Sequence, residues 1–295
     1  GGDLFHVKNS ESKSNTTGYV TQVMGALQAF PQGCVYGIVG NHDITGDSMT
    51  TLADQPLGNL MQSGTYHDLG YQSVLFEAKD GTRVLVEAFD YMPGDVLLEK
   101  VLARGQEINN TLTSYEVHQI HWDDRFAHYY VAVLHAFNQP GKSGVMFNSD
   151  FALGHADLAE TGYDAILWGH DHSRKGIFQV ESLKGPTHVQ LGSLARAALA
   201  QDEVDRPVSV PILSFSKEGM KVVEKEVPVR PLELAFHTAD IAVEKVEKRE
   251  DVAQFLAELD RHAVVVDSEN PVEILTTLTE DPGIIETIKE ACELH

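Results

Sequence analysis

Residues 34–43 read CVYGIVGNHD, an apolar run that passes through Gly40 into a group of hydrogen-bonding and metal-capable side chains. A short apolar stretch bounded by turn residues has the pattern of a buried strand, and the C-terminal ends of strands are where open α/β sheets build their sites. Just upstream, YVTQVMGALQAF (19–30) carries Val20, Val23, Met24, Leu27 and Phe30 at helical spacing, and Pro31-Gln32-Gly33 ends that helix. Helix, strand and loop in this order predict an α/β layer architecture.

The same alternation continues downstream. Residues 73–90, SVLFEAKDGTRVLVEAFD, hold two β-rich runs joined through Lys79-Asp80-Gly81-Thr82, and Asp-Gly is a strong hairpin signal. GDVLLEKVLARGQEI (94–108) reads as a helix, YYVAVLHAFN (129–138) as a buried strand, and Ala165-Ile166-Leu167-Trp168 as another that runs into Gly169-His170-Asp171-His172. KGIFQV, THVQLGSL, VPILSFS and KVVEKEVPV, between residues 175 and 229, read as short strands consistent with a second sheet. From about residue 232 the text is acidic and helix-rich, so a boundary is expected at Pro228–Pro231, dividing a core of residues 1–230 from a mainly helical region of 231–295.

Composition narrows the function classes. With 295 residues and 42% hydrophobic side chains the chain can bury a core, which excludes a disordered acidic tail. A net charge of −22 argues against a protein that coats nucleic acid through its own Lys and Arg, but not against a metal-dependent enzyme, whose bound cations supply positive charge locally. Cys34 and Cys292 cannot make a disulfide framework, which points to a reducing, cytoplasmic setting. No run approaches the roughly 18 consecutive apolar residues of a membrane span.

Four blocks put metal-capable side chains directly after an apolar run or at a turn: Gly2-Asp3, Gly40-Asn41-His42-Asp43, His135 and Gly169-His170-Asp171-His172. Carboxylate and amide oxygens mixed with imidazoles suit Mn, Fe or Zn better than Mg or Ca. In this order the blocks resemble the calcineurin-like metallophosphoesterases over roughly residues 1–200, and GGDLFH (1–6) with GSLAR (192–196) resembles the SbcD-type DNA double-strand-break repair nucleases. Leu191 stands where those nucleases usually have Pro.

The resemblance implies a four-layer α-β-β-α sandwich and a dinuclear centre, with Mn the expected metal. It makes Asp3 a carboxylate bridging two ions, with Asn41, His135 and His170 on one ion and His172 on the other. It makes His42 the acid or phosphate-binding imidazole, oriented by Asp43, and His6 a second histidine near the scissile phosphate. Arg174 and Arg196 become candidates for DNA phosphates. The family's opening Asp-x-His block would lie upstream of Gly1, so the chain reads as a fragment with one metal site incomplete; Asp260-Arg261-His262 is its only Asp-x-His. Implied partners are DNA, an SbcC-like ATPase subunit and a second copy of the chain.

Blander readings accompany each block. Gly-Asn-His-Asp alone is also a good strand-capping turn, and His135 alone would more often be a strand-end histidine. His118, His121 and His128 beside Asp123 and Asp124 imitate a metal cluster but fit a polar helix face. Arg174, Lys175 and Arg196 are equally ordinary as surface charge. Two further functions stay open beside the nuclease: a general phosphoesterase for small phosphodiesters, nucleotides or phosphoproteins, and a catalytically silent scaffold.

Overall fold

The computed structural model describes residues 2–5, 17–31, 33–70, 73–118, 126–146, 150–180, 185–194 and 206–229. His6, Arg196, His121, Asp123, Asp124, Cys292 and the region expected to be helical from 231 onward lie outside these residues. The chain divides into two units, Gly1–Pro228 and Val229–His295, and every described helix and strand belongs to the first. Among the described residues no helix is long and apolar enough to cross a membrane.

The elements run α1 (Thr17–Leu27), β1 (Tyr36–Gly37), a 3-10 turn (Met49–Asp54), α2 (Pro56–Gln62), β2 (His67–Asp68), β3 (Val74–Glu77), β4 (Arg83–Phe89) and α3 (Gly94–His118). They continue with β5 (Tyr129–Gln139), β6 (Gly144–Val145), β7 (Phe151–Gly154), α4 (His155–Leu158), β8 (Ala165–His170), β9 (Gly176–Phe178), β10 (Thr187–Gln190), β11 (Ser209–Ser216) and β12 (Gly219–Glu226). The protein is thus a mixed α/β structure.

Its centre is an eight-stranded sheet whose main path is β3-β4-β5-β8-β10-β9, with β7 on the far end of β5 and β6 on β7. β4, β5, β8 and β10 are parallel, while β3 and β9 close the two edges antiparallel. Parallel strands covered on both faces read as nearly continuous apolar text, which is why YYVAVLHAFN is the longest strand of the sheet. Alternation along β5 turns Tyr130, Ala132, Leu134 and Ala136 toward Leu97, Val101 and Ile108 of α3. Val131 faces the other way, into a cluster with Val84, Ala165 and the Leu213, Phe215 and Met220 side chains of the β11–β12 hairpin.

β9 and β10, expected in a second sheet, extend this one: His188 of β10 is paired with Ile166 of β8 on one side and with Phe178 of β9 on the other. Their text is strand-like, but nothing local in it chooses a partner strand.

Register is what positions the site. His135 lies opposite Gly169 and Ala136 opposite His170, while Phe89 is level with Leu134. The chain beyond β1 is tied to the end of β4, because Val39 N donates to Asp90 Oδ1 at 2.8 Å and Tyr91 N to Val39 O at 2.9 Å. The C-terminal ends of β1, β4 and β8 therefore meet at His135 of β5, a strand that does not end at this histidine but runs on to Gln139.

Candidate metal centre

Four donor atoms come together at that meeting point. Asn41 Oδ1 lies 3.0 Å from His135 Nε2 and 3.1 Å from His170 Nδ1, the two ring nitrogens are 3.1 Å apart, and Asp3 Oδ2 is 3.2 Å from His135 Nε2. Atoms bound to one ion at about 2.1 Å stand about 3.0–3.4 Å from one another, and these four contacts fall in that range, with the Asp3, His135 and His170 atoms all within 4.8 Å of one another. Among the described residues Asp3, His135 and His170 form the one His/Cys/Asp/Glu group of this kind. Asp3 Oδ2 is buried and has only the His135 ring beside it, with no well-aligned hydrogen-bond donor, a condition that a bound cation would relieve.

Backbone conformation brings the donors in. Asp3 (φ 53°) and His170 (φ 81°) both adopt the left-handed region, which costs a non-glycine residue about 1–3 kcal/mol and persists only where the surroundings enforce it. For Asp3 the enforcement is Asp43, whose Oδ2 accepts from Asp3 N at 2.8 Å and Gly40 N at 2.9 Å, and whose Oδ1 accepts from Phe5 N at 3.4 Å. His42 N donates in turn to Asp3 Oδ1 at 2.8 Å. Asp43 thus staples the 2–5 segment to the Gly40–Asp43 loop, a role visible only in the fold. Gly40 is required there, since a Cβ would overlap Asp3 Oδ1 and the Asp3 backbone nitrogen.

The electrostatics favour cation binding. Burial alone would raise the Asp3 carboxyl, but the His135 ring and the His42 amide outweigh it and hold Asp3 below the usual carboxylate range. Burial, then the neighbouring His135 ring, pushes His170 down to about 4, so it is a neutral imidazole with a lone pair at neutral pH. Asp43 is pushed up to about 6 by burial, against the Gly40 amide and with the Asp3 charge adding to the rise.

His172 does not join the four donors; it follows them on the same turn, its carbonyl accepting from Ser193 N at 3.3 Å. His42 directly follows Asn41 in the loop and is partly exposed. Arg174, a candidate for phosphate, makes a 2.6 Å ion pair with Glu224 of β12, whose other oxygen accepts from Ser209 Oγ at 2.6 Å. His128 Nδ1 accepts from Arg83 N at 3.0 Å ahead of β5.

Several residues at the site escape sequence reasoning. Tyr91 sets its ring 6.0 Å from that of His135 and 6.2 Å from that of His170, and Phe137 packs edge-on at 4.3 Å from His170. Burial, with Asp47, Asp150 and Asp3 nearby, raises the Tyr91 hydroxyl pKa. His155 and His188, given no role by sequence, set their rings 4.6 Å apart at a tilt of 37°, and Trp168 Nε1 donates to His188 Nδ1 at 3.2 Å. The only signal for the two aromatic residues was position: Tyr91 and Phe137 each fall within two residues of a strand-end element already singled out.

No protein-family model matches the chain, and no curated protein matches it.

Proposed function

We propose that the chain is a metal-dependent phosphodiesterase of the calcineurin-like type, with the family's four-layer sandwich, and that its substrate is DNA, as in the SbcD-type nucleases it resembles. The observation that carries this reading is the convergence of Asp3, Asn41, His135 and His170, joined by contacts of 3.0–3.2 Å, from the 2–5 segment, the loop after β1, the middle of β5 and the end of β8. A divalent ion held there would polarise phosphoryl oxygens and offset the charge that develops on them.

The chain's own residues would divide the remaining work. Asp3 and neutral His170 hold charge and lone pair toward the ion without a competing proton. The His42 ring, on the loop that begins at Asn41, would donate a proton to the departing oxygen. Tyr91 and Phe137 wall the two imidazoles and limit water on that side. His172 would serve a second ion, with Asp3 shared between the two.

Small phosphodiesters are the second reading, and a specific observation favours them: Arg174 is paired with Glu224, and Asp47 and Asp150 add negative charge near Tyr91. Such surroundings suit a compact diester better than a polyanionic duplex.

The test is Mn-dependent nucleotide release from end-labelled linear duplex DNA, run beside a chromogenic small phosphodiester, with His135→Ala as control. Cleavage of DNA that disappears in the control supports the nuclease. Hydrolysis of the small diester alone transfers the assignment to the second reading, and activity that survives His135→Ala removes both.

A further inference from the structure

The turn that carries His170 is held by a polar network that supplies no donor to the metal centre and runs from the exposed Lys175 to the buried Asn138 and Gln190. Lys175 Nζ lies 3.1 Å from Asp171 Oδ2 and donates to Asn138 O at 3.0 Å and Asn138 Oδ1 at 3.1 Å. It therefore ties the residue between His170 and His172 to β5, three residues beyond His135. Gln190 reinforces the tie: its Nε2 reaches Asp171 O at 3.4 Å and Ser173 O at 3.0 Å, and its backbone carbonyl accepts from Lys175 N at 3.0 Å. Asn138 is itself buried and fixed, with His155 Nε2 3.1 Å from its Oδ1 and Gln190 Oε1 accepting from its Nδ2 at 2.5 Å.

On the opposite side Arg206, also buried, donates to Ser193 O at 2.7 Å, and Ser193 N donates to His172 O. Gly192 lets this segment approach, since a Cβ there would sit 2.6 Å from His172 O. A left-handed His170 has to be over-determined by its neighbours, and these contacts supply that constraint.

We propose that Lys175 is a positioning residue, pinning Asp171 to Asn138 so that the left-handed turn at His170 aims Nδ1 at Asp3, Asn41 and His135. The inference rests on the metal-centre reading and adds to it the residue that sets the geometry of one ligand. A lysine that supports a ligand turn affects metal affinity, whereas a lysine that only stabilises the fold affects the melting temperature alone.

The experiment titrates Mn into the full chain, reading free Mn by electron paramagnetic resonance, for wild type, His135→Ala, Lys175→Met, Lys175→Arg and Asp171→Asn. Circular dichroism fixes a temperature at which each variant is folded. Wild type should bind and His135→Ala should not. Lys175→Met and Asp171→Asn should bind about 10- to 100-fold more weakly, the usual effect of removing a ligand's supporting partner, and Lys175→Arg should recover most of the loss. If wild type fails to bind, the metal-centre reading falls and takes the inference with it. If wild type binds and the folded Lys175→Met variant matches it, the inference alone is overturned. Should Lys175→Met not fold, Asp171→Asn decides in its place, because its amide keeps the Ser173 bond while breaking the ion pair; unchanged affinity there overturns the inference.

Discussion

Gly40 shows how a single residue without a side chain can shape a cluster of donor atoms. Its absent Cβ leaves the space filled by Asp3 Oδ1, and its N–H donates to the same Asp43 oxygen that receives the Asp3 amide. Gly40→Ala should therefore push Asp3 out of the donor set and weaken Mn binding as much as Asn41→Ala does, by calorimetry; equal affinity in Gly40→Ala and wild type would contradict the packing argument. Asp43→Ala should act differently, by leaving the amides of Asp3, Gly40 and Phe5 without their acceptor. At about 1–3 kcal/mol for each buried unsatisfied group, urea unfolding should show a loss of several kcal/mol, partly offset where water enters. At this scale the sequence was informative about donors and silent about their supports. Asn41, His135 and His170 each lie in or just after an apolar run, and it is the ordered set of blocks, not any one of them, that marks them as candidates. Asp43 as a staple and Lys175 as a pin depend on partners 40 and 37 residues away, and such pairings leave no local pattern.

At the scale of elements, β8, β9 and β10 are joined by side chains as well as by their ladder. His188 on β10 stacks on Phe178 at 5.2 Å and on Trp168 at 5.9 Å, with His155 of α4 beside it. Burial, then the His155 ring, lowers His188 from 6.5 to about 4. Between those values the unfolded chain holds a proton that the folded chain refuses, so this ring's contribution is complete above about pH 6.5 and is lost as the pH falls toward 4. The size is on the order of 3 kcal/mol. Asp90, raised to about 7 chiefly by burial, works in the opposite direction: its contribution is present at low pH and fades as the pH rises from 3.8 through 7. Subtracting the pH profile of His188→Gln from that of wild type isolates the histidine, and a flat difference between pH 4 and 6.5 would refute the assignment. The elements were easier to read than their arrangement. Asp80-Gly81 forms the β3–β4 hairpin, with Asp80 Oδ1 accepting from Thr82 N at 2.9 Å, and α3 and β5 follow their periodicity. The pairing of β10 between β8 and β9 could not be read, because one apolar strand edge resembles another until the chain closes.

The whole molecule carries 22 Lys and Arg against 44 Asp and Glu, and this imbalance constrains how any DNA is held. Proteins that grip a duplex through many cations show a log-log salt slope of about −0.9 per phosphate contact. Here Arg104 is bound to Glu87 and Glu107, and Arg174 to Glu224, so those guanidinium groups are committed to the protein's own carboxylates. On the proposed reading, ions at Asp3, Asn41, His135 and His170 would supply positive charge that these two arginines do not. Mn at about 100 times its Kd should stabilise the fold by about 2.7 kcal/mol, raising the melting temperature of wild type but not of His135→Ala. DNA binding should follow the same dependence: measurable in Mn, abolished by a chelator, and shallow in salt, with a slope equivalent to about one to three phosphates. Binding that survives chelation with a steep slope would mean that a basic surface carries the affinity. It would move the DNA contact away from the metal centre even if the centre still cleaves.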